Sequence, residues 1–398
     1  MPDPTRKALI LPGAGARGAY QVGVLKALAG LLPERAPNPF SVICGTSAGA
    51  INAAVLAGHA ANFERAVADM EEVWGNFSAN QVYRSDNWTM VKTSLHWLAA
   101  AMLGGLGVRN PSSLLDNAPL RDLLAQNVRF DGIRRAIDQG HLDAVAVTAS
   151  AYATSRSVTF FEGRPELASW TRIRRIGRAT RLTIDHLMAS AAVPFVFPPV
   201  QIGGEFYGDG SMRHRAPLSP AIHLGADRML IVGVRDERPD AEPPAGATPA
   251  PPTFAHLGGY MLDTLFMDGL YTDLERLSRT NRILEQLGDR KLTGNLAALR
   301  PLHTLVIVPR QDLRSVAAQY VSELPRGVRL LLRGLGAGAR SGMQLVSYLL
   351  FESGFTRALI DMGYRDAMEM EDELRAFVFD EPMATLYAPA HLKLALDR

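Results

Sequence analysis

The sequence predicts an α/β fold with a mostly parallel central sheet and an additional helical C-terminal region. Short apolar runs alternate with helical segments up to about residue 236, a pattern typical of layered α/β sheets. Beyond that point, apolar residues recur mainly at three- and four-residue spacing, which indicates helices. Of the 398 residues, 47% are hydrophobic and 21% charged, so the chain can bury a large core and is not a disordered protein.

Five apolar runs are predicted to be strands. Each run is short and ends at glycine, proline or polar residues, as do the buried strands of a parallel sheet. Helices are expected at 18–32 and 48–58, directly after the first two strands, and Gly203-Gly204 marks a hairpin turn. The five predicted strands cover residues 7–12, 40–45, 142–150, 156–163 and 227–234.

The strongest break in the pattern is the stretch 238–252, which contains six prolines. Proline removes a backbone donor and fixes φ, so this stretch is expected to be an exposed linker or loop rather than a helix or a central strand. It separates a core, 1–237, from a mainly helical region, 253–398. Within that second region, the apolar run 303–309 is predicted to be a strand that rejoins the core sheet.

The charge and the cysteine content argue against nucleic acid as a partner and against structures that need several cysteines. The 42 basic and 40 acidic residues leave a net charge of +2 without a basic stripe, so nucleic acid is not an expected partner. Cys44 is the single cysteine, which rules out an intrachain disulfide and a multi-cysteine metal site.

No segment has the pattern of a signal peptide or a membrane-spanning helix. The longest strongly apolar stretch, 95–108, is shorter than the roughly 20 residues that span a bilayer. We therefore expect a cytoplasmic or peripheral membrane protein. The stretch 95–108 itself fits either a lid that touches lipid or an ordinary buried helix, and the sequence does not decide between them.

The sequence GTSAG, Gly45–Gly49, is the first candidate for chemistry. A predicted strand precedes it and a helix rich in small residues follows, which is the context of a nucleophile elbow. Gly45, Thr46 and Gly49 would allow the sharp turn, and Ser47 would stand at a helix N-terminus that favours developing negative charge. The alternative is a tightly packed turn with an unreactive serine.

The sequence GAGARG, Gly13–Gly18, follows the first strand and allows two interpretations. A dinucleotide site would need an acidic residue at the end of a second strand, but Glu34 stands among prolines instead. The second interpretation is a loop whose backbone N–H groups face an oxyanion. Arg17 would then either take part in catalysis or form an ion pair that orders the loop.

A serine nucleophile needs a base, and Asp209 is a better candidate than any histidine. Ser47 follows only two recognisable strands, which is too early for an α/β-hydrolase, and none of the nine histidines lies in a distinctive small-residue loop. Asp209 stands between Gly208 and Gly210, where a short carboxylate can approach another loop closely. An ordinary turn aspartate would show the same local pattern.

Taken together, these motifs resemble those of the patatin-like phospholipases, which are lipid acyl hydrolases with a Ser–Asp dyad. The glycine-rich loop, the serine elbow and the Asp209-Gly210-Ser211 motif occur in the family's order, and the segments 188–200 and 216–234 are also similar. The resemblance covers about residues 7–236 and implies a three-layer α/β/α core. It further implies that the core, 1–237, is the catalytic part of the chain.

The resemblance also assigns roles to residues. Ser47 would attack the ester carbonyl while Asp209 accepts its proton, an acyl-enzyme would form, and no metal or cofactor would be needed. The substrate would be a phospholipid, a lysophospholipid or another acyl ester, reached through peripheral contact with a membrane. The residues implied for the oxyanion loop are Gly13, Ala14, Gly15, Ala16, Arg17 and Gly18, with Ala48 from the elbow.

Two positions depart from the usual family pattern. Ala14 stands where many relatives have a third glycine, and the loop should keep its shape if this residue does not need a positive φ. Ser211 stands where relatives have glycine or alanine, and its hydroxyl either bonds to Asp209 and lowers its basicity or points to solvent.

Three functions remain open at this point: a hydrolase, an acyltransferase with the same dyad, and a catalytically silent protein that binds a membrane or a partner. In either enzyme, three loops should converge at one edge of the sheet, with Asp209 close to Ser47. An adjoining apolar groove is expected, with Val193, Phe195 and Phe197 as its candidate lining.

Overall fold

The computed structural model describes residues 5–84, 113–236, 251–288, 293–294, 299–337 and 342–389. The apolar stretch 95–108 and residues 238–250 of the proline-rich stretch lie outside these ranges. The lid or buried helix expected at the first, and the exposed linker expected at the second, therefore stay predictions. Within the described ranges, no helix combines the length and the apolar character needed to cross a bilayer.

Eleven strands of the described chain form one mixed sheet, in the order β11-β10-β9-β1-β2-β3-β4-β6-β5, with the hairpin β7–β8 attached to β3. Neighbouring strands from β11 to β3 run parallel. The strands are β1 (Lys7–Leu11), β2 (Val42–Thr46), β3 (Ala144–Ala151), β4 (Ser157–Gly163), β5 (Trp170–Arg172), β6 (Arg175–Ala179), β7 (Val200–Ile202), β8 (Glu205–Asp209), β9 (Arg228–Val232), β10 (His303–Ile307) and β11 (Leu386–Tyr387).

The central strands are buried on both faces, which explains why their sequences are apolar without alternation. Every residue of β1, β2 and β3 is buried. In register, Ile10 of β1 lies beside Cys44 of β2 and Ile231 of β9. The predicted α/β fold with a mostly parallel sheet is thus confirmed.

Helices cover the sheet and make up most of the described C-terminal region. A π-helical turn, Thr264–Asp268, lies between the helices Phe254–Asp263 and Gly269–Leu287. The helices are α1 (Gly18–Leu31), α2 (Ala48–Gly58), α3 (Phe63–Gly75), α4 (Ala118–Asn127), α5 (Phe130–Asp138), α6 (Ile184–Ser190), α7 (Ser219–His223), α8 (Phe254–Asp263), α9 (Gly269–Leu287), α10 (Leu313–Tyr320), α11 (Arg326–Gly334), α12 (Met343–Leu349), α13 (Ser353–Met368) and α14 (Glu371–Val378).

The C-terminal region is joined to the N-terminal part through the sheet and through a close helix pair. Strand β10 pairs with β9, so the run predicted at 303–309 lies inside the central sheet. Helices α1 and α13 approach closely at two glycines: a Cβ on Gly23 would overlap the Ile360 carbonyl, and a Cβ on Gly363 would overlap the Tyr20 carbonyl. Without a side chain at both positions, the two backbones can touch.

This close approach predicts opposite effects for two glycine-to-alanine changes in α1. Gly23→Ala should destabilise the fold by about 1–3 kcal/mol because the new methyl group overpacks the helix contact. Gly30→Ala is the matched control: a Cβ there meets no atom within 4 Å, so the change should stabilise the helix by about 0.5–1 kcal/mol. Urea unfolding of both variants measures the difference. Equal destabilisation by both would contradict the proposed contact.

Candidate active site

Ser47 occupies a strained turn between β2 and α2. Its backbone has φ 56° and ψ −128°, a combination that costs a non-glycine residue about 1–3 kcal/mol. The turn is possible because the residues two positions before and after Ser47 lack side chains: a Cβ on Gly49 would overlap the Leu11 carbonyl, and one on Gly45 would crowd the backbone of Gly49 and Ala50. The local geometry is that of a nucleophile elbow, with Ser47 at the N-terminus of α2.

Ser190 holds this strained turn in place. The Ser47 N–H donates to Ser190 Oγ at 2.8 Å, and Ser190 Oγ in turn donates to the Thr148 carbonyl at 2.6 Å. Ser190 is fully buried, so neither bond competes with solvent. The sequence analysis did not single out this residue, although it lies in the family-like segment 188–200.

The register of β3 brings Ser47 and Asp209 together. Strand β2 pairs with β3 up to Thr46 opposite Thr148, and β8 pairs with the next residues, with Asp209 opposite Ala149. Because β4 covers the other edge of β3 along Ala144–Ser150, β2 and β8 must share the same edge. The end of β2 and the end of β8 therefore meet there.

Asp209 is buried and only partly hydrogen-bonded. Its Oδ1 accepts from the Ser211 N–H at 2.9 Å, whereas Oδ2 is buried and has no hydrogen-bond partner among the described residues. Burial raises the pKa of Asp209 to about 6 from the usual 3.8. The neighbouring Ser47 and Ser211 hydroxyls limit that rise, although neither forms a hydrogen bond to Oδ2 in this arrangement. The Oδ2 atom is thus free to accept a proton.

The glycine-rich loop presents unused backbone donors beside Ser47. Gly15 has φ 52°, whereas Ala14 has φ −145°, so the alanine that departs from the family pattern does not need a positive φ here. The hydrogen bonds found in the described part of the chain include none donated by the N–H groups of Ala14, Gly15 or Ala48. Gly15 and Ala48 line the same cavity as Ser47, so their N–H groups are available to an oxygen bound there.

Arg17 points away from this cavity and is anchored in the C-terminal region. Its guanidinium, only 2% exposed, donates to Ser347 Oγ at 2.7 Å and to Tyr348 Oη at 3.0 Å, and it pairs with Asp263 at 3.3 Å. Asp263 also accepts hydrogen bonds from Tyr348 Oη at 2.6 Å and from Gln344. The geometry corresponds to a loop-ordering ion pair. Asp263, Ser347 and Tyr348 lie over 240 positions away from Arg17, so no sequence pattern identified them.

An apolar cavity of about 350 Å³ opens beside Ser47. Val193 and Phe197 line it as expected, but the prediction for Phe195 is wrong: this side chain is 67% exposed, and Val196 lines the cavity instead. Phe195 has φ 64°, a backbone turn that the sequence did not indicate. The further apolar walls come from Ile51, Val55, Met70, Trp74, Phe77, Leu120, Leu124, Leu262, Phe266 and Phe351.

His214 lies close to the elbow but in the neutral form. Its Nδ1 is 3.1 Å from Thr46 Oγ1, and burial together with the charge of Arg175 lowers its pKa to about 4. Its Nε2 is buried without a partner among the described residues. The sequence did not indicate that this histidine lies beside Thr46.

Comparisons with known proteins connect most of the described N-terminal part of the chain with one family. A family model described as patatin-like phospholipase matches residues 9–222. A cGAMP-activated phospholipase of Pseudomonas aeruginosa is 29% identical over 220 residues, which are 55% of this chain and 56% of that protein. The alignment thus spans little more than half the length of that relative.

Two solved structures are similar to the chain at low identity. VipD of Legionella pneumophila has a TM-score of 0.38 at 12% identity, with 93% of this chain and 67% of that one covered. Human GIVD cytosolic phospholipase A2, in complex with a methyl γ-linolenyl fluorophosphonate, has a TM-score of 0.36 at 14% identity, with 94% and 60% covered.

The buried ion pair of Arg17 leads to a prediction about stability. Asp263→Asn should lower the free energy of unfolding by about 3–5 kcal/mol, because it leaves a buried guanidinium without its counter-charge. Asp138→Asn is the matched control, since its pair with Arg134 is exposed and should contribute no more than about 0.5 kcal/mol. Chemical unfolding compares the two, and a similar loss in both would show that the buried pair has no special importance.

Proposed function

The chain belongs to the patatin-like phospholipase family, and we propose that it hydrolyses acyl esters of phospholipids or related lipids through Ser47 and Asp209. One observation supports this mechanism above all others. A buried carboxylate with an oxygen that has no hydrogen-bond partner among the described residues lies close to a serine in a strained elbow, and that serine lines an apolar cavity. Family membership supports a phospholipid as the substrate.

In the first step, Asp209 Oδ2 accepts the Ser47 hydroxyl proton while Oγ attacks the ester carbonyl carbon. A lone carboxylate is normally a weak base at neutral pH, but a pKa near 6 brings it closer to the working range. The carbonyl oxygen becomes an oxyanion, which the N–H groups of Gly15 and Ala48 can stabilise. The positive end of the α2 dipole acts in the same direction.

In the second step, the tetrahedral intermediate collapses and the alcohol leaves with the proton held on Asp209. This leaves an acyl group on Ser47 Oγ and Asp209 as a carboxylate again. Asp209 then takes a proton from water, whose oxygen attacks the acyl carbon. The fatty acid is released, and the proton returns to Ser47 Oγ.

The cavity supports a lipid acyl group as the part of the substrate that is bound. Its walls beside Ser47 are aliphatic and aromatic, so an alkyl chain that enters leaves water without stranding a polar group. Asn52 also faces the cavity, but its side chain is satisfied by the Gly18 carbonyl, Gln21 and Trp74.

Substitution of either reacting residue should abolish ester hydrolysis while leaving the fold intact. Ser47→Ala removes the nucleophile and Asp209→Asn removes the base, so each should lower kcat/KM by about three orders of magnitude or more. A fluorogenic acyl ester measures the rates, and circular dichroism checks the fold.

The control for this experiment is His214→Gln, which changes the histidine beside Thr46. This variant should keep most of its activity, because the proposed mechanism uses no histidine. A folded His214 variant as inactive as Ser47→Ala would replace the dyad with a triad. Substantial activity in Ser47→Ala would refute the nucleophile.

The raised pKa of Asp209 predicts how kcat/KM depends on pH. The base acts as the carboxylate, so kcat/KM should be constant above about pH 6 and fall about tenfold per unit below it. An inflection near 4 in the wild type would contradict this account.

A further inference from the structure

Helix α8 is apolar on its outward side as well as on its inward side. Its one carboxylate, Asp263, is buried, so the charge of the helix points into the protein. A surface helix normally carries polar residues towards water, and a helix that is apolar all round is typical of a core or a membrane. Four large apolar side chains, between 46% and 78% exposed, form the outward face: Phe254, Leu257, Tyr260 and Met261.

This outward face is a concentration rather than part of a scattered background. Thirteen large apolar side chains are exposed in the described part of the chain, and four of them lie within the ten residues of α8. Single exposed apolar residues are normal on protein surfaces, whereas a group of them on one face indicates contact with a protein or a lipid. Tyr260 also fits a lipid interface, because its ring is apolar and its hydroxyl can stay in water.

The same helix forms part of the wall of the cavity beside the elbow. Leu262 lines the cavity, while its neighbour Met261 is exposed on the other side of α8. A second wall repeats this arrangement, because Val193 and Val196 line the cavity and Phe195 between them is exposed. Two segments that enclose the cavity therefore present apolar side chains to the outside. A lipid substrate that leaves a bilayer needs such a surface close to the cavity.

A basic helix adjoins the beginning of α8. The Ala255 N–H donates to the Leu335 carbonyl at 2.9 Å, so α8 begins where α11 ends. Helix α11 contains three arginines and no acidic residue. Arg326, Leu330 and Arg333 are its large exposed side chains, and their spacing of four and three residues places them on one face. Basic residues beside exposed apolar ones are typical of helices that lie on anionic membranes.

We propose that these two helix faces form the surface through which the protein docks on a bilayer of anionic phospholipid. The docking face consists of Phe254, Leu257, Tyr260 and Met261 of α8 with Arg326, Leu330 and Arg333 of α11. The inference rests on the proposed function, because a phospholipid is taken as the substrate. Charge favours a bilayer over a second copy of the chain: a second copy brings the same arginines to the interface, whereas anionic head groups complement them.

Binding to vesicles tests the proposal without catalysis. The Ser47→Ala variant is mixed with vesicles of phosphatidylcholine, with or without phosphatidylglycerol, and the bound fraction is measured by sedimentation. Vesicles that contain phosphatidylglycerol should bind at least about tenfold more strongly, since two arginines near an anionic surface contribute about fivefold each. High salt should weaken this binding by screening. No binding, or equal binding to both kinds of vesicle, would overturn the proposal.

Substitutions on α8 test the apolar part of the docking face. Leu257→Gln combined with Tyr260→Gln should lower binding to anionic vesicles by at least about tenfold, because less apolar surface leaves water. The matched control is Ile173→Gln combined with Phe379→Gln, which changes two exposed apolar side chains outside α8 and α11. This control should bind as the unchanged chain does. An equal loss in both double variants would contradict the assigned face.

Substitutions on α11 test the basic part. Arg326→Gln combined with Arg333→Gln should remove most of the preference for phosphatidylglycerol and leave the weaker binding to phosphatidylcholine unchanged. Arg172→Gln combined with Arg174→Gln is the control, since both arginines are exposed at the edge of the sheet. A preference that survives the first pair of changes, or is lost equally in the second, would contradict the role of α11.

A fluorescent label locates the contact directly and does not depend on a loss of binding. Cys44 is the single cysteine and is buried, so a label attaches selectively to Leu257→Cys. An environment-sensitive dye at this position should shift its emission to shorter wavelength when anionic vesicles are added, because it enters the apolar layer. The same dye on Ile173→Cys should not shift. A shift at 173 alone, or at neither position, would overturn the proposal.

Further measurements separate this proposal from the proposed catalysis and from self-association. If Ser47→Ala still hydrolyses esters but vesicle binding depends on α8, the mechanism fails and the docking face stands. If the wild type hydrolyses esters but the Leu257 and Tyr260 changes leave vesicle binding intact, the docking face fails and the mechanism stands. Light scattering gives the oligomeric state. A dimer that these two changes convert to a monomer would assign the face to a second copy and overturn the proposal.

Discussion

One edge of the strand Ala144–Ala151 determines where the two reacting side chains meet. Val42–Thr46 occupies the first part of that edge in parallel, and Glu205–Asp209 occupies the remainder in the antiparallel direction. Ser47 and Asp209 are 162 positions apart in the sequence. The two pairings nevertheless bring the end of Val42–Thr46 and the end of Glu205–Asp209 opposite adjacent residues of Ala144–Ala151. A shift of one residue in either register would turn the side chains to the other face of the sheet, so the site depends on both pairings.

The elbow adds a local constraint that the surrounding structure must offset. Ser47 is held at a positive φ by two neighbouring glycines, by the Ser190 hydroxyl and by the carbonyl of Thr148. Asp209 is likewise held in an unfavourable state, because burial opposes its charge and, within the described part of the chain, the Ser211 N–H is the one hydrogen-bond donor to its carboxylate. Backbone strain thus occurs at Ser47 and desolvation at Asp209, the two residues that are proposed to react, while the buried strands around them supply the stability.

The fold could be predicted from the sequence, and the candidate dyad could be proposed from it, because both leave local signals. Buried parallel strands give apolar runs, and the elbow requires glycines beside Ser47. The exposed strands Trp170–Arg172 and Arg175–Ala179 lack such runs and were missed. The position of Phe195 depends on a positive φ, and the partners of Arg17 depend on tertiary contacts, so neither is encoded in a short pattern.

Those long-range contacts make the C-terminal region part of the site. Asp263, Ser347 and Tyr348 hold the guanidinium of Arg17, two residues from Gly15, and a Cβ on Gly15 would meet the Tyr348 carbonyl. The Phe266 ring packs against Gly13 and also lies 5.0 Å from the Tyr348 ring. These residues all lie beyond 222, where the family match ends. The loop that faces the proposed oxyanion therefore takes its shape from a part of the chain that has no motif of its own. The helices Phe254–Asp263 and Met343–Leu349 hold this loop through the buried ion pair of Arg17 with Asp263, through the hydrogen bonds of Arg17 to Ser347 and Tyr348, and through the contact of Gly15 with the Tyr348 carbonyl.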